Sequence, residues 1–257
     1  MFNLNDGLLN FLTNSALNEE WQFYALQLTF VLIGITAAYL LGSINTAIVI
    51  SRVFYRDDIR KHGSGNAGLT NMLRTYGKKA AVFTLLGDML KTAIAISITG
   101  VLLGFNYYAG ISLNDGYCYI AGLFAVVGHV FPIYYGFKGG KGVLVTSTMA
   151  LILTPIPFLI LLVIFIIIVA LSKYVSLGSV SVAVLYPVVV NGYFRIFLGP
   201  TPGIIALCTI LLAIFIVWCH RENLVRISER TERKISFKKK KEPTEEEGAD
   251  KADGKEE

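Results

Sequence analysis

The chain has 257 residues, 54% of them hydrophobic, with a formal net charge of +5 and a mean hydropathy of +0.60. That is more apolar surface than a soluble domain of this length can bury, so lipid must be part of its solvent and a water-soluble fold is excluded. The basic balance fits lysine and arginine gathered on the cytoplasmic side of a membrane, and nucleic acid is not an expected partner.

Residues 1–24 contain no Lys or Arg, which excludes the basic start of a cleavable signal peptide; they are expected to remain as an external, weakly amphipathic extension. Seven apolar runs follow, at about 26–51, 80–103, 117–135, 143–153, 156–172, 179–193 and 203–219, each a candidate for a spanning helix of roughly 20 residues. The fourth is short, and only the sequence TPIP separates it from the fifth, so one kinked helix or a re-entrant pair is the alternative. Basic residues decide between the two. With seven spans and the N-terminus outside, only Arg195 of the 23 Lys and Arg lies in an outer loop and only Lys91 lies within a span. Fusing the fourth and fifth runs would place the tail, with its run from Lys238 to Lys241, outside.

The predicted fold is therefore all-α: a polytopic integral membrane protein with seven transmembrane helices, N-terminus outside and C-terminus cytoplasmic. The membrane domain is predicted over 25–227, followed at 228–257 by a charged, low-complexity tail expected to be disordered. Cys118, Cys208 and Cys219 show no CxxC spacing and no nearby histidine pair, so neither a disulfide framework nor a zinc site is indicated, and no other metal constellation is present.

The chemically suggestive stretches all fall on the predicted inner face. In HGSGNAGLTNMLRTYG, His62 to Gly77, the glycines at 63, 65 and 68 let several backbone N–H groups converge, and Ser64, Asn66, Thr70 and Asn71 add side-chain donors. Arg74 supplies a fork suited to phosphate or carboxylate, and a helix beginning near Gly68 would add its N-terminal dipole. FKGGKG follows the third run. Lys138 and Lys141 suit a positive-inside anchor, but Gly139, Gly140 and Gly142 require a close approach of the backbone to something, and a phosphate cradle explains both. The GxxxxGK[ST] spacing of a Walker A loop is absent.

Asp88 and Lys91, three apart on one helix face, lie roughly 12 to 16 Å into the second run by the rise of 1.5 Å per residue. Charges at that depth must pair or line a polar cavity, which suits support of the glycine loops from below. SKYVSLGS, with Ser176, and HRENLVR, with His220 and Asn223 one turn apart, complete the inner face.

Together, GSINTAIVISR, DIRKHGSGNAGLTNMLRTYG, GDMLK, GHVFPIYYGFKGGKG, KYVSLGS and HRENLVR resemble the bacterial acyl-phosphate:glycerol-3-phosphate acyltransferase family, commonly called PlsY, in collinear order over about residues 30–235. The resemblance implies a seven-helix bundle in the bacterial plasma membrane, without a cofactor. It implies transfer of a fatty acyl group from acyl phosphate to glycerol 3-phosphate, the first step of phospholipid synthesis, with the acyl chain entering from the inner leaflet. It further implies that Ser64, Arg74 and Lys141 hold glycerol phosphate, that Thr70, Asn71 and the GGKG glycines help hold acyl phosphate, and that Ser176, His220 and Asn223 surround the reacting groups. The chain departs from the family pattern at Asn45 and Ala47, at Leu69, at Thr92, and at Leu144 and Val145, which are packing positions more than charged ones.

Acyl phosphate is already activated, so no covalent nucleophile is needed; the site must align two anions and stabilise developing charge. Either His220 or the acyl phosphate can accept the hydroxyl proton, and the substrate is the favoured acceptor. No HxxxxD pattern follows His62, His129 or His220, so a His-Asp acyltransferase dyad is excluded. A transporter of phosphorylated anions would also gather Arg, Lys and Gly, but near the membrane midplane and within repeated halves, and no internal repeat is evident.

Overall fold

The computed structural model describes residues 7–16, 19–104 and 113–235. A short helix α1 (Gly7–Ala16) packs Leu9 against Phe30 and Leu103. The long helix α2 (Glu20–Ser43) then begins about six residues before the first predicted span, because nothing in 20–25 breaks a helix.

That first span is broken at Ile44 and Asn45, where the sequence predicts continuity. Asn45 leaves helical geometry and caps α3 (Thr46–Tyr55), its Oδ1 accepting the Ile48 N–H at 3.1 Å. A short amide side chain competes with the helix ladder in this way and favours a fresh start. The break frees the Ile44 carbonyl, which the site uses.

A single tight turn at Ile59–Lys61 leads to α4 (Leu69–Tyr76) and α5 (Lys78–Leu103). Next come α6 (Leu113–Val130), a turn at Ile133–Tyr135, α7 (Val143–Leu153) and α8 (Pro155–Ser172). The chain continues through α9 (Val175–Phe197), α10 (Gly203–Cys219) and α11 (Arg221–Ser228), with the last two bent by 53°. Because α9 starts at Val175 and ends at Phe197, Ser176 and Arg195 sit in its first and last turns, not in the loops predicted for them.

Among the described residues, five stretches are long and apolar enough to cross a membrane, and six if the bent pair α10–α11 is counted as one span. Helix α7 is apolar but has 11 residues, about 16 Å against the roughly 30 Å hydrocarbon core. It is separate from α8 and packs against it; the two are not one kinked helix.

Close helix crossings organise the bundle. A Cβ on Gly42 would lie 2.3 Å from the Ala125 carbonyl oxygen, and one on Gly128 would lie 2.3 Å from that of Tyr39, so α2 and α6 meet backbone to backbone. Buried Ala38, Ala121, Ala125, Val145, Met149, Tyr186 and Leu212 fill the centre, while Leu159, Val163, Ile166 and Leu171 of α8 face outward.

The tail differs from its expected beginning at 228. Residues 229–235 fold back onto the bundle, the Ile235 N–H donating to the Lys173 carbonyl at 2.8 Å. The lysine run and the acidic stretch beyond lie outside the described residues.

Candidate active site

The break after α2, the end of α6, the starts of α4, α7 and α9 and the end of α10 meet at one end of the bundle. The glycine-rich loop before α4 is held by its own Asn71. This buried amide donates to the carbonyls of Ile59 (3.3 Å), His62 (3.0 Å) and Asn66 (3.1 Å), and its Oδ1 accepts the Ser64 N–H at 3.1 Å. Its polar atoms are thus committed to backbone, which makes Asn71 the clip of the loop where a substrate contact was expected. Gly68, the N-cap of α4, has no side chain to satisfy the helix end, so the first N–H groups of α4 are left for another acceptor. Thr70 lies in that first turn, Ser64 and Gly65 are exposed, and Arg74 follows one turn later.

FKGGKG folds over the end of α6. The N–H groups of Gly139 and Gly140 donate to the carbonyls of Val130 (3.0 Å) and His129 (3.1 Å). A Cβ on Gly139 would lie 2.0 Å from the His129 carbonyl oxygen; one on Gly140 would lie 2.1 Å from His129 Nε2 and 2.8 Å from the Ala67 carbonyl oxygen. The close approach inferred from these glycines is therefore made to the protein's own backbone and to His129. Gly142 adopts φ +79° as the uncapped N-cap of α7, a second open helix N-terminus. Lys138 is exposed.

Arg60 ties the two loops together. Its guanidinium reaches the carbonyls of Tyr135 (2.8 Å) and Lys138 (3.1 Å) while Asp58 binds Nε and Nη2 at 2.9 and 2.7 Å. These bonds hold the Asp58 carboxyl far below the usual carboxylate range, the contact with Arg60 contributing most.

Beneath the loops, Asp88 and Lys91 pair at 2.8 Å, as their spacing predicts. The Lys91 ammonium spends its other two protons on the Ile44 carbonyl (2.8 Å) and His129 Nδ1 (3.0 Å), and Thr46 Oγ1 donates to Asp88 at 3.0 Å. Every donor of this buried cation has an acceptor.

Above them a second cluster joins four elements. Lys141 Nζ donates to Asn223 Oδ1, and Asn223 Nδ2 donates to Ser176 Oγ (2.9 Å) and to Glu232 Oε1 (2.6 Å). Ser176 Oγ donates to the same Glu232 oxygen, and Arg226 Nε donates to Glu232 Oε2 at 2.8 Å. Burial pushes the Glu232 carboxyl up, but the bonds from Ser176, Arg226 and Asn223 outweigh it and hold it low. Burial, reinforced by Arg226, lowers the Lys141 ammonium. The Arg74 guanidinium reaches the Arg233 carbonyl at 3.4 Å and closes a ring from tail to first loop.

His220 sits at the bend between α10 and α11 and donates from Nδ1 to the Ile216 carbonyl at 2.8 Å, which leaves Nε2 as the acceptor. Burial pushes its pKa down to about 4, so the ring is neutral at physiological pH.

Six participants were not singled out from the sequence: Thr46, Asp58, Arg60, His129, Arg226 and Glu232. All but Glu232 lie inside motifs already quoted. Glu232 lies in a charged stretch with nothing local to separate it from Glu229.

Such a site, on a helical bundle with a lipid-facing exterior, defines a membrane-embedded acyltransferase once the known relatives are set beside it. Residues 32–230 match the family model described as glycerol-3-phosphate acyltransferase, and the chain belongs to that family. The glycerol-3-phosphate acyltransferase of Geobacillus kaustophilus is 39% identical over 200 residues, 78% of this chain and 93% of the relative. That of Bacillus cytotoxicus is 42% identical over 205 residues, 79% of this chain and 94% of the relative. Among solved structures, the crystal structure of PlsY (YgiH), an integral membrane glycerol 3-phosphate acyltransferase in its glycerol 3-phosphate form, aligns with a TM-score of 0.69 at 30% identity, covering 80% of this chain and 96% of that one. Its lysophosphatidic acid form aligns with a TM-score of 0.67 at 29% identity.

Proposed function

We propose that this chain transfers a fatty acyl group from acyl phosphate to glycerol 3-phosphate, giving 1-acyl-sn-glycerol 3-phosphate and inorganic phosphate, the first step of phospholipid synthesis. The observation that carries the reading is the ring of contacts at one end of the bundle. It brings Lys141, Arg74, Asn223, Ser176 and two uncapped helix N-termini together. Two anionic substrates repel one another, and a cluster of fixed donors and cations offsets that repulsion.

In this reading Ser64, Arg74 and Lys141 take glycerol phosphate, while Thr70, Gly65, Asn66, Lys138 and the backbone at Gly142 take acyl phosphate; Gly139 and Gly140, whose N–H groups donate to Val130 and His129, shape the second loop and do not bind through those groups. Asn71 serves by shaping the first loop. Asn223 and Ser176 face the reacting groups, oriented by Glu232, and Asp88 and Lys91 support the loops from below. The departing phosphate is the favoured acceptor of the hydroxyl proton, because a histidine held near a pKa of about 4 is a weak base at neutral pH. The bundle crosses the bacterial plasma membrane seven times, α7 being the short fourth span, with the N-terminus outside and the site cytoplasmic. This orientation follows the placement of Lys and Arg, and it opens the site to acyl phosphate in the inner leaflet. No cofactor takes part in the steps described.

The test uses purified protein with palmitoyl phosphate and glycerol 3-phosphate, following phosphate release, with palmitoyl-CoA as the competing donor. Release should need both substrates and fail with palmitoyl-CoA. Absence of release from folded wild-type protein would overturn the reading.

A further inference from the structure

His129 occupies the last turn of α6, 3% exposed, and has no part in the transfer described above. Lys91 fixes its chemistry. An ammonium only donates, so the 3.0 Å contact makes Nδ1 an acceptor and places the ring proton on Nε2. The ring is further constrained because Lys91 is itself held by Asp88 and by the Ile44 carbonyl.

The Nε2 edge faces Gly140, the residue before Lys141. A Cβ at Gly140 would lie 2.1 Å from Nε2 and 2.8 Å from the Ala67 oxygen, so the loop backbone passes between the histidine ring and the first glycine-rich loop. The Ala67 carbonyl is in turn held by Asn45 Nδ2 at 3.2 Å, in the break after α2. The main-chain bonds from Gly139 and Gly140 to Val130 and His129 would survive any substitution of the ring. The imidazole adds a rigid wall against which Gly140 rests.

We propose that His129 is a positioning residue for the transfer reaction: its ring, oriented by Lys91, sets the height of Gly140 and hence where the Lys141 ammonium meets glycerol phosphate. It acts through the loop without touching the reacting atoms. The proposal rests on the function inferred above.

The test compares His129→Ala, His129→Gln, Gly140→Ala and the double variants in the phosphate-release assay, with KM for each substrate and kcat measured separately on protein whose folding is verified by thermal unfolding. Gly140→Ala drives a methyl into the ring and should raise the KM for glycerol 3-phosphate by about tenfold or more, with a smaller change in kcat. His129→Ala should also raise it, and His129→Gln should restore part of the loss by refilling the space. The double variant His129→Ala with Gly140→Ala should lie well below the product of the two single effects, because removing the ring makes room for the methyl. Multiplicative effects, or folded His129 variants with an unchanged KM, would overturn the proposal. If His129→Ala does not fold, His129→Ser, which also vacates the space of the ring, decides by the same coupling with and without Gly140→Ala. Wild-type activity with uncoupled variants removes only this inference, whereas an inactive wild type removes the reading of function on which it rests.

Discussion

Two polar clusters stand at this end of the bundle, and they are built on opposite terms. The lower one, Asp88, Lys91, His129 and Thr46, is almost wholly buried and carried by helices and their ends, and all three ammonium protons have acceptors within the protein. The upper one, Lys141, Asn223, Ser176, Arg226 and Glu232, is half-buried and drawn from a loop, two helix starts, a helix end and a chain segment beyond the last helix. A closed buried network holds shape and has nothing to offer a ligand. An assembly open to water can exchange its internal bonds for bonds to a substrate, so binding chemistry belongs to the upper cluster and its geometry to the lower.

That division can be broken by mutation, and the largest effect is expected below. Removing one partner of a buried ion pair leaves an uncompensated charge, which typically costs about 3–5 kcal/mol. Lys91→Met should therefore lower thermal stability in detergent far more than any variant of the upper cluster, and adding Asp88→Asn should recover part of the loss. Equal losses from Lys141→Ala would erase the distinction.

Lys141→Ala should leave the unfolding temperature nearly unchanged and reduce turnover by roughly 10²–10³, the usual consequence of deleting one preorganised charge-stabilising group. Retention of full activity would take FKGGKG out of the site. Glu232→Gln preserves the shape of the carboxylate but not its charge; it should lower kcat about tenfold, comparable to the loss of one charge-assisted hydrogen bond, and leave substrate KM values less affected. A KM effect alone would mean that Glu232 organises binding and not the reacting groups.

The smallest effect is expected at His220. His220→Gln should slow the reaction without abolishing it, and complete loss in folded protein would make the histidine the proton acceptor. Its pH behaviour sharpens the point. The folded value of about 4 lies below the unfolded 6.5, so the unfolded chain takes up the proton first as pH falls. The stability this group contributes is fully present above pH 6.5 and is lost as the pH falls from 6.5 towards 4. Urea midpoints across that range should decline less in His220→Gln than in the wild type.

Much of the site was legible in advance because its residues stand in short motifs beside apolar runs. Lys141, Asn223 and the Asp88–Lys91 pair stand out by charge, spacing or depth, whereas Ser176 and the roles of Lys141 and Asn223 come from the family resemblance. The glycines were correctly seen to demand a close approach, but what approaches Gly139 and Gly140 is the chain's own α6 end, a fact no spacing records. Asn71 looked like a ligand donor because asparagine in a glycine-rich loop can face either way, and three backbone carbonyls claim its amide. Glu232 was invisible for a different reason: its partner Ser176 is 56 residues away, and low-complexity composition around it carries no local signal.

The sequence by itself determined what is set by composition and short-range pattern: membrane solvent, helical spans of the right period, and the basic motifs gathered between them. Hydrocarbon leaves an exposed backbone only helices or closed barrels, the long apolar runs select helices, and charge cannot readily lie elsewhere than at their ends. Tertiary structure alone decided the bond from Asn45 to the Ala67 carbonyl, the full set of acceptors around Lys91 and the return of the tail that delivers Glu232. Each depends on which distant groups a polar atom finds, and that choice is made only when the helices pack.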